Sequence, residues 1–312
     1  MLFRSIPALV EVPGATTLPA RKTAQIAAAL PSGDVVLDTD DHHSTAVSSG
    51  RAFFRILGIS ADEFPRDTAF SGEWSFGLPA IELRKALAKV SYSTSEDENR
   101  QVLSGILLSV REGMLTVAAT DGRRLALVER PLDGEGVAEG DVILPGKVAA
   151  ELGRMLEGEG NVVVQLSESR ASFEFGGTVV TSKLVEGTYP NYRQVIPGTF
   201  AQSVAIPRLA FAEALNRVSM VISDTSSAVK LSLRTAEMVV SATSHEVGEA
   251  KEPVEVSYEG GPLDIAFNPL FFTEPLKNLE CDQIIMRFND EYSPVALLGD
   301  EGFIYVVMPM RG

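Results

Sequence analysis

The twelve residues Pro145-Gly-Lys-Val-Ala-Ala-Glu-Leu-Gly-Arg-Met-Leu156 recur in altered form at two other places in the chain. The earlier copy is Pro19-Ala-Arg-Lys-Thr-Ala-Gln-Ile-Ala-Ala-Ala-Leu30, and the later copy spans 268–279, at steps of 126 and 123 residues. Each copy ends in a leucine eleven positions after its first residue, and each has a helical pattern. Self-similarity at a fixed period indicates a fold built from copied units.

Other segments repeat in the same phase. Pro79 begins a helical pattern that Pro207 begins again 128 residues later, and the strand-like run 115–120 returns as 238–243. Each unit is therefore predicted to run helix, hairpin strands, helix and further strands, with glycine-containing turns between the strands. Two helices on one face of an antiparallel sheet make an α+β fold. The predicted strands include 106–110, 115–119, 161–166, 171–175 and 178–184.

The chain does not hold a whole number of these units. At about 125 residues a unit, 312 residues make two and a half. The complete units are predicted at 71–198 and 199–312, whereas residues 1–70 lack a counterpart of the first helix. The sequence thus predicts three domains, of which the first is truncated at its N-terminal side. Pro275 lies inside the third helical copy and is expected to kink or restart that helix.

The last nine residues, Ile304-Tyr-Val-Val-Met-Pro-Met-Arg-Gly312, are nearly all apolar, although chain ends are usually polar and frayed. Residues 305–308 are predicted to form a buried strand that ends at Pro309, because proline cannot donate to a ladder. Methionines at a strand end suit an adaptable binding surface. The alternative to a binding surface is that residues 305–308 are a core strand that lies at the end of the chain.

The composition indicates a globular protein. No apolar run reaches the roughly 18 residues that a membrane span requires. The start of the chain is interrupted by Pro7 and lacks the apolar segment of a secretory signal. A single cysteine, Cys281, excludes an internal disulfide and fits a reducing cytosol. We therefore expect a cytoplasmic protein.

A net charge of −15 argues at first against a nucleic-acid partner. The five repeated helices, however, carry ten basic and four acidic residues, a charge of +6, which leaves −21 on the rest of the chain. If the equivalent helices share one face, that face is basic and could hold a phosphate backbone without reading base sequence. Basic side chains lying along exposed helix faces are the alternative.

No motif for catalysis is found in the sequence. His42 and His43 beside Asp38, Asp40 and Asp41 fit a solvated turn better than a metal site. Cys281 has no nearby histidine, and Asp121-Gly122 is a turn signal. There is no glycine-rich phosphate loop and no GxSxG motif. We expect neither an enzyme nor a cofactor.

Three further motifs carry a resemblance to a known family. Thr120-Asp-Gly-Arg-Arg-Leu-Ala-Leu127, Ser182-Lys-Leu-Val-Glu-Gly-Thr-Tyr-Pro-Asn-Tyr-Arg193 and Tyr305-Val-Val-Met-Pro-Met-Arg311 resemble the bacterial sliding clamp, the beta subunit of DNA polymerase III. The resemblance covers the chain from about Pro13 to the end and preserves the family's order and spacing. It implies a non-catalytic processivity factor. Two subunits of three units each would encircle duplex DNA, with helices lining the hole and sheets outside.

The resemblance also implies a groove between the second and third units. There the polymerase, the clamp loader and other clamp-motif proteins would insert a short peptide containing Gln and Leu or Phe. The matching residues are Leu103, Thr120, Gly122, Arg123, Arg124, Leu125, Pro190, Gln194, Val195, Asn268, Phe271, Tyr292, Pro294, Val306, Val307, Met308, Pro309, Met310 and Arg311. Leu125, Val195, Val307 and Met308 are expected to hold the peptide's anchors, and Arg123 and Arg124 to mark the edge. Leu125 and Val306 also fit a plain core role, and Gln194 stands where arginine is usual.

Ring closure and DNA contact are implied in the same way. The edge strand 51–57, with Arg51, Phe54 and Ile56, would pair with the third unit of the other subunit near Met220 and Val221. The residues expected to face DNA are Arg21, Lys22, Arg84, Lys85, Lys89, Arg100, Lys147, Arg154, Arg208 and Arg217. A second function class is a shortened, non-encircling clamp that binds clamp-motif peptides without closing a ring.

Overall fold

The computed structural model describes residues 2–4 (backbone only), 6–64, 70, 72–97, 99–132, 138–222 and 228–310. The chain divides into two compact units, a smaller unit of Ser5–Phe70 and a larger unit of Met1–Arg4 with Ser71–Gly312. Within the larger unit, residues 71–198 and 199–312 are called the second and third modules.

A short strand, β1 (Leu2–Arg4), begins the chain. The smaller unit then contains β2 (Thr16–Thr17), α1 (Ala20–Ala29), β3 (Val36–Thr39), β4 (Ser44–Ser49), β5 (Ala52–Leu57) and β6 (Ile59–Ser60). Strands β3, β4 and β5 form an antiparallel sheet in that order, so β5 is an edge strand. Among the described apolar side chains of this unit, only Val47 and Ile56 are buried.

The second and third modules have the same order of elements. The second contains β7 (Trp74–Pro79), α2 (Ala80–Val90), β8 (Gly105–Arg111), β9 (Met114–Thr120), β10 (Arg124–Pro131), β11 (Gly140–Pro145), α3 (Gly146–Met155), β12 (Asn161–Leu166), β13 (Arg170–Phe175) and β14 (Thr178–Lys183). The third contains β15 (Gln202–Pro207), α4 (Arg208–Val218), β16 (Val229–Arg234), β17 (Glu237–Ser244), β18 (Gly248–Glu255), β19 (Leu263–Phe267), α5 (Leu270–Asn278), β20 (Gln283–Phe288), β21 (Val295–Leu298) and β22 (Phe303–Val307). The strands predicted between residues 106 and 184 agree with these bounds to within one residue, whereas the strand predicted at 305–308 begins two residues earlier, at Phe303, and ends at Val307.

The sheets repeat as well as the elements. The order β11-β8-β9-β10 in the second module matches β19-β16-β17-β18 in the third, and β14-β13-β12-β7 matches β22-β21-β20-β15. Each module therefore has two four-stranded antiparallel sheets, which agrees with the predicted α+β fold of helices packed on antiparallel sheets. The helices connect the two sheets, since α2 packs against β9 and β10 of one and against β7 and β12 of the other. The predicted internal repeat is confirmed.

One strand pair joins the two modules into a continuous sheet. Strand β10 pairs antiparallel with β22, with Leu125 opposite Val306, and the result is an eight-stranded sheet. The chain's last strand is thus a central, buried strand, which ends at Val307, before Pro309. The same kind of pairing joins β1 to β14, with Leu2 opposite Val180. Between the second and third modules, the β10-type strand of one therefore pairs with the β14-type strand of the other.

Each α-helix among the described residues begins directly after a proline, at positions 19, 79, 145, 207 and 269. Proline suits a helix start because its missing N–H would have no partner there and its φ is already near the helical value. The helix does not restart at Pro275, because α5 runs through this proline from Leu270 to Asn278. The Pro275 ring is buried, and packing in the core offsets the lost hydrogen bond.

Candidate functional site

The turn between β9 and β10 is fixed by its own side chains. The Asp121 carboxylate accepts hydrogen bonds from the backbone N–H groups of Arg123 (2.8 Å) and Arg124 (3.0 Å), and the Thr120 hydroxyl donates to the Arg124 carbonyl at 2.6 Å. Gly122 has φ of 88°, a left-handed conformation that glycine adopts without a steric penalty. Asp121-Gly122 is therefore the turn that the sequence indicated, and its carboxylate is used for structure.

Arg124 is the residue that connects this turn to the third module. Its guanidinium donates to Asp121 Oδ2 at 2.9 Å, to the Tyr92 carbonyl at 2.5 Å and to the carboxylate of Glu274 on α5. It also lies over the ring of Phe271, 4.6 Å from its centroid. The Arg124 side chain is only 10% exposed. The expectation that Arg124 marks an exposed edge is wrong, because its charge is satisfied inside the boundary between the modules.

The side chains around Arg124 are buried, and their burial shifts pKa values. Burial raises the pKa of Tyr92 well above its ordinary value, and it raises the pKa of Tyr305 as well. For Arg124, burial is the largest single effect and lowers the pKa, but the hydrogen bond to Glu274 and the charges of Glu274, Asp121 and Tyr305 together outweigh it, so the pKa is raised. All three groups therefore keep their ordinary charge states at neutral pH, and Arg124 is a permanent cation held by two carboxylates.

The C-terminal tail crosses from one module to the other beside this turn. The Met308 N–H donates to the Arg123 carbonyl at 3.0 Å, and the Met310 N–H donates to the Ala266 carbonyl of β19 at 2.7 Å. Met308 is 43% exposed and Met310 37% exposed, although both are apolar. The tail therefore presents two thioether side chains between the turn and the third module, as a binding surface requires. Arg311 lies outside the described residues.

A second wall is formed by the segment that links the two modules. Tyr189 accepts a hydrogen bond from the Thr120 N–H at 3.0 Å, and burial raises the pKa of Tyr189 to about 12. The segment packs over the outer face of the eight-stranded sheet, above Leu125 and Val306. Its members in this contact are Tyr189, Tyr192, Ile196 and Phe200. Pro190, Gln194 and Val195 remain exposed on its outside, and Val195 is 50% exposed.

The remaining groove residues lie on neighbouring elements. Val295 pairs with Val307, which places Pro294 beside Met308, and Tyr292 is 67% exposed on the same hairpin. Asn268 and Phe271 lie at the start of α5, where the Asn268 side chain accepts a hydrogen bond from the Leu270 N–H at 3.0 Å. Leu103 is half-buried in a short 3-10 turn.

Three expected groove residues are core residues. Leu125, Val306 and Val307 are each at most 3% exposed, so they support the surface from beneath. A core role was the stated alternative for Leu125 and Val306, but Val307 was expected to contact a peptide. Val307 has no free surface because its side chain packs into the main hydrophobic core.

The structure changes the expected set of DNA-facing residues. Lys89 is buried and forms an ion pair with Asp300 at 2.5 Å, so it cannot face DNA. Arg208 is also structural, because its guanidinium donates to the carbonyls of Cys281 (2.6 Å) and Leu276 (2.9 Å). An added Cβ at Gly122 would lie 3.3 Å from Arg100 Nη1, which places the Arg100 guanidinium beside the turn at residues 120–124 and not on a repeated helix.

Three other cations of the set are paired with acids. Lys85 contacts Glu280 at 2.8 Å, Arg154 contacts Glu151 at 2.5 Å, and Arg217 contacts Glu252 at 2.7 Å. Arg21, Lys22, Arg84 and Lys147 have no ion pair with any residue of the described part of the chain. These four, together with the partly neutralised lysines and arginines, are what remains of the predicted basic face.

The ion pair between Lys89 and Asp300 connects the second module to the third. Lys89 lies on α2, and Asp300 precedes β22, where its carboxylate also accepts hydrogen bonds from the N–H groups of Glu280 (3.1 Å) and Cys281 (2.8 Å). Burial by itself raises the pKa of Asp300, but Lys89 and these N–H groups outweigh burial and hold it below its ordinary value of 3.8. Burial raises the pKa of the Cys281 thiol, as expected of an unreactive cysteine.

The predicted dimer residues are placed on two surfaces. In the smaller unit, Phe54 is exposed on edge strand β5 and Arg51 lies in the turn before it, whereas Ile56 is buried. Met220 and Val221 lie in a 3-10 turn after α4 that packs against β17 and β18. Met220 is exposed, and β18 is a free edge of its four-stranded sheet.

Neither metal chemistry nor a membrane span has support in the part of the chain that the structure describes. The Asp40 carboxylate accepts hydrogen bonds from the N–H groups of His42 (3.0 Å) and Ser44 (2.9 Å), so it shapes a turn. The described residues contain no group of three or more potential metal ligands. Within the described ranges, no helix is both long and apolar enough to cross a membrane.

Sequence reasoning missed two residues that build the groove. Glu274 anchors Arg124 from another module, 150 positions away in the chain, and no local pattern indicates such a contact. Tyr189 supports Thr120 through its hydroxyl and lies within the quoted motif at 182–193, but the spacing alone does not reveal its partner.

Comparison with known proteins gives two family matches that together cover most of the chain. Residues 77–191 match the model described as "DNA polymerase III beta subunit, central domain", and residues 193–311 match the one described as "DNA polymerase III beta subunit, C-terminal domain". Among curated relatives, the beta sliding clamp of Caulobacter vibrioides is 34% identical over 97% of this chain and 84% of its own length. That of Chlamydia muridarum is 29% identical over 98% of this chain and 84% of its own length.

Solved structures show the same likeness. A sliding clamp (DNA polymerase III subunit beta) from Bartonella birtlesii, bound to griselimycin, is 30% identical with a TM-score of 0.92, covering 100% of this chain and 86% of that chain. The DNA polymerase III subunit beta from Pseudomonas aeruginosa is 31% identical with a TM-score of 0.90, covering 96% of this chain and 84% of that chain.

Proposed function

The chain belongs to the beta sliding clamp family of DNA polymerase III, and we propose that it is a DNA sliding clamp, the processivity factor of the bacterial replicative polymerase. In this role it encircles duplex DNA as a ring and recruits polymerases and repair proteins through its groove. The observation that carries the proposal is the junction of β10 and β22, which brings the C-terminal tail and the turn at residues 120–124 together.

DNA would be held through charge alone. The repeated helices are the most basic part of an acidic chain, and Arg21, Lys22, Arg84 and Lys147 have no acidic partner among the described residues. Such side chains attract phosphates at a distance and release them easily, and they contact no base edges. A loose, sequence-independent hold is what sliding requires. The acidic remainder of the chain would repel DNA from the other surfaces.

The groove would take a short linear peptide from a polymerase, the clamp loader or another clamp-motif protein. Val195, Met308 and Met310 supply exposed apolar surface, Arg123 and Arg100 supply charge at the rim, and the buried Arg124 fixes the geometry. An apolar pocket with a polar rim concentrates binding energy in a few anchors. Gln194 in place of a cation gives this groove a different rim charge, so its peptide preference would differ at that point.

Ring closure would use the same strand pairing that joins the modules within the chain. The β10-type strand of the third module is β18, and the β14-type strand of the smaller unit is β5; both are free sheet edges. By the register of β10 with β22, Ala250 of one subunit would lie opposite Phe54 of the other, and Glu249 opposite Arg55. The pairing of Glu249 with Arg55 would place opposite charges across the junction.

The domain organisation that fits this function is three clamp domains at 1–70, 71–198 and 199–312. The described residues between 6 and 70 contain one α-helix, α1, where each later module has two, so we infer a shortened first domain. The alternative function, a non-encircling clamp that only binds clamp-motif peptides, is favoured by one observation. The smaller unit buries two apolar side chains among its described residues, which leaves little to stabilise a closing strand.

A clamp has no chemistry to perform, so we propose neither catalysis nor a cofactor for this chain. A cytoplasmic location at the nucleoid, where the chromosome is, follows from the proposed role. Light scattering combined with peptide titration tests the function. A dimer that binds a clamp-motif peptide supports the ring, a monomer that binds it supports the alternative, and failure to bind the peptide contradicts both.

A further inference from the structure

A cavity of about 260 Å³ lies under the segment that links the second and third modules, on the outer face of the eight-stranded sheet. Leu107 of β8, which is 3% exposed, lies at its bottom. Tyr189, Pro190 and Tyr192 of the linking segment form apolar walls. The polar side chains in the lining are Ser109, Arg111, Asp141, Asn191 and Arg193. The cavity therefore combines an apolar interior with charged groups.

This cavity adjoins the proposed groove. Pro190 lines the cavity and is also one of the residues expected in the groove. Tyr189 lines it too, and the Tyr189 hydroxyl accepts the Thr120 N–H at 3.0 Å, so one aromatic side chain connects the turn at residues 120–124 to the cavity. An extended chain advances about 3.3–3.6 Å a residue. A peptide in the groove therefore needs only a few further residues to pass Pro190.

One charged cluster in the lining is structural. Asp141 Oδ1 accepts a hydrogen bond from the Ser109 hydroxyl at 2.6 Å, and Asp141 Oδ2 accepts one from the Arg111 guanidinium at 2.7 Å. The same three residue types recur at a step of 123 residues, as Ser232, Arg234 and Asp264. Because both modules have this cluster, it belongs to the repeated sheet, and both oxygens of Asp141 are already used.

Arg193 differs from that cluster. Its side chain is exposed, and it has no ion pair with any residue in the part of the chain that the structure describes. The guanidinium carbon lies 5.9 Å from the centre of the Tyr192 ring. A guanidinium held against an aromatic ring is positioned in advance and keeps N–H donors for a carboxylate. The charge that complements this cavity is therefore negative.

We propose that the groove continues past Pro190 into this cavity, which takes the side chain of an acidic residue flanking the clamp motif of a partner peptide. The carboxylate contacts the Arg193 guanidinium, and the methylene groups pack on Leu107 between the tyrosines. Arg193 is then a specificity-determining residue that acts beyond the core of the groove. The inference rests on the proposed function, because it requires a peptide in the groove.

Labelled peptides with and without an extension test the proposal on the full chain. The parent peptide is a clamp-motif peptide containing Gln and Leu or Phe, and a three-residue extension ending in Glu or in Gln is added at its N-terminal or its C-terminal side. All ends are acetylated or amidated, so that they carry no charge. Fluorescence anisotropy gives each Kd. In one of the two orientations, we expect the Glu peptide to bind about fivefold tighter than the Gln peptide, with the difference shrinking as salt is raised.

Variants of the protein assign this preference to one side chain. Arg193→Gln should bring the ratio of the two Kd values to about one, and Arg193→Glu should reverse the preference. Arg193→Lys should retain most of it, because a carboxylate is attracted by either cation. Arg287→Gln, at an exposed position of β20 outside the cavity, is the matched control and should leave the ratio unchanged.

The two proposals fail in distinguishable ways. If the parent peptide does not bind, the proposed groove is contradicted and this inference with it. If the parent peptide binds but the Glu and Gln peptides have equal Kd values in both orientations, only this inference is overturned. A preference for Glu that survives Arg193→Gln overturns it as well.

Discussion

The guanidinium carbon of Arg124 lies 4.6 Å from the centre of the Phe271 ring, so a turn of the second module is stacked on a helix of the third. The same guanidinium donates to Asp121 in its own turn and to Glu274 on α5. One planar side chain therefore sets the distance between two walls of the groove. Affinity for a peptide should depend on this buried contact although the peptide need not touch it.

Replacing Arg124 with lysine tests that role. Lysine keeps the charge but has neither the planar stacking surface nor the fork of donors that reaches Asp121, Glu274 and the Tyr92 carbonyl together. We expect the Kd of a clamp-motif peptide to rise about tenfold, or ~1.4 kcal/mol, in a calorimetric titration. Arg123→Lys, at an exposed neighbouring position, is the matched control and should change Kd by less than about twofold. Equal effects of the two changes would rule out a positioning role for Arg124.

Met308 is expected to be an anchor of the groove. Its side chain is exposed while its backbone N–H donates to the Arg123 carbonyl, so peptide binding need not order the backbone at this position. Met308→Ala should weaken peptide binding by more than about 1 kcal/mol. Met220→Ala removes an exposed methionine outside the groove and should leave the affinity unchanged. Unchanged affinity for Met308→Ala would contradict the placement of the pocket.

The Lys89–Asp300 pair predicts how stability depends on pH. Because the pKa of Asp300 is held below 3.8 in the folded state, the carboxylate stabilises the fold above that pH and ceases to do so as the pH falls through the folded-state pKa. Asp300→Asn also leaves Lys89 buried without a counter-ion, so we expect a loss of about 3 kcal/mol at pH 7. Urea unfolding should show the gap to the wild type narrowing below pH 3.8.

The exposed pair Arg100–Asp97, at 3.5 Å, supplies the control for that measurement. Asp97→Asn should cost no more than about 0.5 kcal/mol at pH 7, because exposed ion pairs contribute little. A pH-independent gap for Asp300→Asn would mean that the carboxylate's charge is not what stabilises the junction.

The strand pairing proposed for ring closure predicts a specific cross-link. With Cys281→Ser as background, Phe54→Cys and Ala250→Cys place thiols opposite each other across the proposed β5–β18 junction, where side chains are about 5 Å apart. A short thiol cross-linker should then yield covalent dimers. Phe54→Cys paired with Val163→Cys, at an exposed position of β12, should give none. Equal yields from the two pairs would contradict the register.

Much of the fold could be predicted because it repeats. Every helix start coincides with a proline, and strands such as Asn161–Leu166 alternate in the expected way, so local chemistry and the repeat agree. What could not be predicted are contacts between modules. The sequence places Lys89 on a basic helix, but in the structure it is buried in an ion pair with Asp300, over 200 positions later. The burial of Arg124 could not be predicted either, because its contacts Glu274 and Phe271 are far away in the chain.

The central claim is that the protein encircles DNA, and topology tests it most directly. The protein is loaded by a bacterial clamp loader and ATP onto nicked circular DNA, which is then purified by gel filtration at a salt concentration that removes charge-mediated binding. Our account predicts that protein stays with the circles and is released when one restriction cut linearises them. Equal retention on circles and linear DNA, or no retention on either, would contradict it.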